Sequence, residues 1–180
     1  MILCFDVESD SLSGQPFAVG GVVIDNDGRV LSTLYAELHE HLHSPCDWVR
    51  ANVYPALATR RTPDSFCDLP TLYARFWAWL QGWKGKGATC VVDCGSPVEG
   101  GFLRDVLTHG AATGQWSEFG GPEPLHEVAT ALYLRGHGDP DRFVFAGLTI
   151  GGGVYGIGRI ERHDPVSDAY ASALCWVGTA

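Results

Sequence analysis

The stretch "ILCFDVESD" at residues 2–10, followed by "FAVGGVVI" at 17–24, decides how this chain begins. Ile2–Phe5 is an apolar, β-prone run that ends in acids, and Phe17–Ile24 is a second apolar run. "DNDG" at Asp25–Gly28 is a strong turn signal. Beyond it Arg29–Leu38 reads as a third strand, because Val30, Ser32, Leu34, Ala36 and Leu38 alternate with Leu31, Thr33, Tyr35 and Glu37. Three sequential strands joined by short turns predict an antiparallel meander that opens the domain.

Downstream the pattern changes period. Leu69, Leu72, Tyr73, Phe76, Trp79, Leu80 and Trp83 recur at helical spacing, so Leu69–Trp83 is expected to be a helix whose stripe is core. Ala88–Val92 reads as a short buried strand, Pro97–Leu107 as a second helix and Pro165–Val177 as a third. The expected fold class is α/β, with a mixed sheet flanked by helices and a single domain over residues 1–180. "RFVFAGLTIGGGVYGIGRI" at 142–160 reads as strand and glycine-rich loop. Its G-x-G-x-x-G match, Gly151–Gly156, lacks the following helix and the acid about 20 residues on that a dinucleotide site needs. A glycine-rich turn or hairpin is expected there.

Composition sets bounds. Hydrophobic residues make up 46% and charged residues 18% of 180, which fits a globular chain. No apolar run is long enough to span a bilayer, so no membrane partner is expected. The N-terminus lacks a basic region before a small-residue cleavage site, so no signal peptide is expected. Six scattered cysteines show no zinc spacing and fit reduced thiols in a cytoplasmic protein. The net charge of −9, from 12 Lys+Arg against 21 Asp+Glu, argues against a grip on long nucleic acid through a basic patch. It permits a short substrate whose phosphates are met by metal ions.

Four places carry residues suited to chemistry. Asp6 and Glu8, at i and i+2 on one strand, project to one face. Two carboxylates held that close repel unless a cation lies between them, and such oxygen sites suit Mg²⁺ or Mn²⁺. In "VVDCGSPVEGGFL" (Val91–Leu103) a strand runs into a helix bearing Glu99. There Ser96 and Glu99 also fit a capping box, which would account for Glu99 without chemistry. "RHDPVSDAYA" (Arg162–Ala171) offers His163 and Asp168, while Asp164 and Pro165 suit an N-cap and first helical residue. "HEHLH" puts His39, His41 and His43 on one side of an extended segment, as a metal site or as a polar loop.

Taken in order, "FDVES" with "FAVGGVVID" behind it, "PVEGGFL" and "HDPVSDA" resemble the three motifs of the DEDD 3′–5′ exonucleases. These are the proofreading-subunit-like, histidine-bearing members of the ribonuclease-H-like superfamily. The resemblance implies a ribonuclease-H-like sheet and a hydrolase that shortens single-stranded or short DNA or RNA from its 3′ end, releasing nucleoside 5′-monophosphates. By the same resemblance Asp6, Glu8, Glu99 and Asp168 bind two Mg²⁺ or Mn²⁺ ions and His163 is the general base. The partner would be nucleic acid, and a homodimer is compatible with it. Glu99 stands where the family has aspartate, and Asp93 is the other candidate for that acid. The rival expectation is a catalytically weak domain of the same fold that binds nucleotides or a protein partner.

Overall fold

The computed structural model describes residues 1–179, and its centre is a six-stranded mixed sheet. The strands are β1 (Ile2–Ser9), β2 (Pro16–Ile24), β3 (Val30–Leu38), β4 (Phe66–Cys67), β5 (Thr89–Val92) and β6 (Leu125–Glu127), in the order β4-β3-β2-β1-β5-β6. β1, β2 and β3 form the expected antiparallel meander, while β5 pairs parallel to β1, β6 to β5 and β4 to β3. The turn into β3 closes as its sequence predicts: the Asp25 carboxylate accepts from the Asp27 and Arg29 amides, and Gly28 takes φ +80°.

Two short helices, α1 (Asp47–Asn52) and α2 (Tyr54–Leu57), precede the long α3 (Leu69–Lys84) and α4 (Gly100–Thr113). After β6 come α5 (Val128–Leu134), the single turn α6 (Arg142–Phe145), the hairpin β7 (Gly153–Val154) and β8 (Gly158–Arg159), and α7 (Pro165–Thr179). The alternation along β1 sorts the helices into two layers. Leu3, Phe5 and Val7 join the core with α3 and α4; Ile2 and Cys4 join a second core with α5, α6 and α7. The stripe on α3 is core as expected, with Leu72, Tyr73, Phe76 and Leu80 buried.

Three expectations are corrected. Residues 142–145 are helix rather than strand, because Asp141 caps the Phe143 and Val144 amides and Phe143 is drawn into the α7-side core. The second helix begins at Gly100, after a wide π-type turn over Gly95–Glu99, and runs on to Thr113. In that turn Ser96 is extended (φ −140°, ψ 141°) and no side chain caps the helix start, so the Ser96–Glu99 capping box does not form. The glycine-rich run does make a hairpin.

Where α7 meets the sheet, its backbone lies on bare β2. A Cβ on Gly20 would fall 2.4 Å from the Pro165 carbonyl carbon and from the Val166 nitrogen. Gly20 is the register partner of Asp6, so this contact sets how closely α7 approaches the acids of β1. Gly20→Ala must push α7 off the sheet. We expect a loss of about 2–3 kcal/mol, typical of overpacking, read as a lowered midpoint in urea unfolding.

Candidate metal centre

Beyond Cys4, the α7-facing side of β1 continues into Asp6 and Glu8. The start of α7 lies across from them. Asp164 caps that helix, its Oδ1 accepting from the Val166 amide at 3.3 Å and its carbonyl from the Asp168 amide at 2.9 Å. Asp168 then projects toward β1. Carboxylate oxygens of Asp6, Glu8 and Asp168 all lie within 4.8 Å of one another, the one such group among the described residues. Two residues near one end of the chain and one near the other therefore meet at the carboxyl end of β1.

Glu99 reaches the same place from the π-type turn, its carboxyl in hydrogen-bonding contact with that of Asp6. It stands outside the three oxygens that close on one point. Asp93, the alternative acid, lies just past β5 and is held by the Arg142 guanidinium at 2.5 Å. The Asp6, Glu8, Glu99 and Asp168 carboxylates have no such cation among the described ion pairs.

Their electrostatics follow. Burial first, then mutual repulsion, raises the carboxyls of Asp6, Glu8 and Asp168 well above the usual range. Glu99 is pushed up to about 7, by burial and then by Asp93. Three hard oxygen donors that repel one another fit a divalent cation of the Mg²⁺ or Mn²⁺ kind.

His163 lines the same polar cleft, of about 440 Å³, with Asp6, Glu8, Asp168, Arg142 and Arg162. It adopts φ +61°, in the left-handed region that costs a non-glycine residue energy. Its ring packs edge-on to the Trp48 indole, 5.2 Å between centroids. Its backbone amide bonds toward the Asp168 carboxylate. Burial, and after it the neighbouring Arg162, lowers the imidazole below its ordinary value, favouring the neutral ring.

The histidines of "HEHLH" do not gather. His43 is buried against Asp10 (3.1 Å) and Tyr54 (3.3 Å) and stacks on Phe17, while His39 and His41 stack on each other. Sequence reading missed Arg60, Arg142 and Trp48, whose partners are 104, 49 and 115 positions away respectively. Only the basic pair in "TRRTP" gave any signal. The glycine-rich hairpin carries none of the cleft's acids. No helix among the described residues is long and apolar enough to cross a membrane.

Compared with models of known protein families and with curated proteins, the chain matches none.

Raised carboxyl values mean that, between about pH 4 and 7, the folded chain holds more protons than the unfolded one at this site. Its stabilising contribution is therefore full below the unfolded values near 4 and is lost as pH rises through the folded ones. Asp6→Asn is expected to raise the melting temperature of metal-free protein at pH 7.5 by roughly 2–4 °C, about 1 kcal/mol. The gain should shrink toward pH 4.5. Mn²⁺ should raise the melting temperature of the parent and leave Asp6→Asn nearly unmoved. Calorimetry at both pH values, with and without Mn²⁺, checks all three.

Proposed function

We propose that the chain is a metal-dependent 3′–5′ exonuclease of the DEDD class on a ribonuclease-H-like sheet, acting on single-stranded or short DNA or RNA. The observation that carries the reading is the meeting of Asp6, Glu8 and Asp168 within 4.8 Å, with His163 lining the same cleft. Strand order supports it: an antiparallel β1–β2–β3 meander continued by parallel β5 and β6 places the acids at the carboxyl ends of β1 and β5, where open α/β sheets bind ligands.

Asp6, Glu8 and Asp168 would hold the ions, with Glu99 backing Asp6. Bound divalent cations supply Lewis acidity that offsets charge on a phosphate in an in-line displacement. The remaining steps belong to the chain. His163, kept neutral by burial, accepts a proton from the attacking water. The water oxygen bonds to phosphorus as the bond to the bridging 3′ oxygen breaks. That oxygen takes up a proton from solvent, and the terminal nucleotide leaves with its phosphate on the 5′ oxygen. An apolar slot of about 310 Å³ shares Val7 and Glu8 with the cleft and is lined by Leu12, Trp48 and Val98. Its size and its partly exposed indole suit a nucleobase seated beside the reacting phosphate.

The test is turnover of 5′-labelled DNA and RNA oligonucleotides, from dinucleotides upward, with Mg²⁺ or Mn²⁺. A ladder shrinking from the 3′ end is expected, and Asp6→Asn abolishes it. His163→Asn, a residue that tolerates φ above zero, should fold normally and lose about 10²–10⁴ in kcat. The acid limb of the pH–rate profile should lie below the ordinary histidine value of about 6.5. A folded protein stabilised by Mn²⁺ that cleaves none of these substrates would favour the binding domain.

Glu99 gives a separate reading of the site. If its contact with Asp6 serves the reaction, Glu99→Gln should lower kcat by at least about 10-fold while leaving the melting temperature unchanged or raised. A variant with parental kcat would make Glu99 a spectator.

A further inference from the structure

Arg60 follows α2, and its guanidinium is remote in sequence from every group it bonds. Its Nε and Nη2 donate to Asp164 Oδ2 at 2.8 and 2.5 Å, and Asp164 is fully buried. The same guanidinium donates to the Ile157 carbonyl through Nη1, to the Arg159 carbonyl at 3.3 Å and to Ser167 Oγ at 3.2 Å. Ser167 closes the figure: its hydroxyl donates to Asp164 Oδ2 at 2.5 Å and accepts from the Glu161 amide at 3.2 Å. Residues 157, 159, 161 and 164 are thus each tied to one planar cation or to the serine beside it. The next residue in that alternation is His163, which has no tie of its own to the fork and takes a left-handed backbone.

From this geometry we infer that Arg60 is a positioning residue for His163: through Asp164, Ser167 and the carbonyls of Ile157 and Arg159 it fixes the segment that holds the imidazole in the cleft. The inference rests on the reading of His163 as the base. A guanidinium is suited to the task because it offers five donors in one rigid plane, where an ammonium is a single point. Capping α7 does not need it, since Asp164 Oδ1 meets the Val166 amide while Oδ2 faces Arg60. Nor does the acidic triad, to which the fork makes no bond. What the fork adds is the placement of residues 157–164 against the helix.

Arg60→Lys keeps a cation beside Asp164 and removes the fork. Arg60→Met/Asp164→Asn removes both buried charges together, so that no unpaired carboxylate is left to unfold the chain. In each, kcat on an oligonucleotide is expected to fall about 10- to 100-fold, the scale of a misplaced catalytic group, with KM within about two-fold of the parent. The Mn²⁺-dependent rise in melting temperature should persist, because Asp6, Glu8 and Asp168 are untouched. A second signal needs no turnover. In metal-free protein the His163 ring protons, assigned by their loss in His163→Asn, carry a ring-current shift from Trp48, which both variants should move. Parental kcat together with unmoved His163 signals, in variants that merely melt lower, would overturn the inference and leave Arg60 a structural brace. If the parent cleaves nothing, the exonuclease reading fails by itself, and the His163 signals alone decide whether Arg60 places the ring.

Discussion

The contact on which the rest depends is the seating of α7 on the bare backbone of Gly20. A helix normally stands off a sheet by the length of its side chains. Here the carbonyl carbon of Pro165 and the nitrogen of Val166 occupy the space a Cβ on Gly20 would take. Because Gly20 pairs with Asp6, the helix start is drawn to the one point on β1 where the α7-facing side turns from apolar to acidic. One turn into the helix comes Asp168. Repulsion among three carboxylates opposes this approach, and burial of Val166, Ala169, Tyr170 and Ala173 against Ile2, Cys4, Val22 and Ile24 drives it. The helix is held by its apolar face, and the acids are carried along.

How the fold treats its acids separates structure from chemistry. Two carboxylates that do not line the cleft are fully buried, and each has its own arginine from one dipeptide. Arg60 holds Asp164. Arg61 holds Glu37, with its Nη2 2.6 Å from Oε1, and Tyr35 donates to the same carboxylate at 2.7 Å. Buried acids of this kind are tolerable only when paired and hydrogen-bonded. Asp6, Glu8 and Asp168 are partly buried too, yet the arginines of the cleft go elsewhere: Arg142 to Asp93 and Asp139, Arg162 to Asp141. A chain that neutralises its structural acids so completely leaves these three short of positive charge. On the proposed reading, a divalent cation would meet that shortage.

Legibility followed the range of the interactions. The meander, the Asp25–Gly28 turn, the α3 stripe and the Asp164 cap rest on contacts within a few residues, and period and turn chemistry were enough to find them. Asp6 and Glu8 could be put on one face because strand alternation is local. Four things could not be read. The Ser96–Glu99 capping box satisfied every local rule, yet a π-type turn replaced it and delivered Glu99 to Asp6 across the fold. Residues 142–145 have strand-like composition, and a single Asp141 cap with the pull of the α7-side core made them helical. β4 and β6, of two and three residues, carry too few positions to show alternation. The Arg60 fork was invisible because one guanidinium gathers partners that lie about a hundred residues off.

Charge also limits what can enter the cleft. Asp6, Glu8, Asp93, Asp139, Asp141 and Asp168 line it against Arg142, Arg162 and His163, and both arginines are already engaged by acids. Such a surface gives a phosphodiester no electrostatic steering, and with no cation bound it repels one. Proteins that bind long nucleic acids gain affinity from many lysine and arginine contacts and lose it steeply with salt. This chain has few to offer, so affinity on the proposed reading must come from the ions at the acidic triad and from apolar contact in the slot beside Trp48. Both act on the terminal nucleotide and neither on the chain behind it. A site so built would bind a dinucleotide nearly as well as a long strand, because extra length adds phosphates that meet no partner.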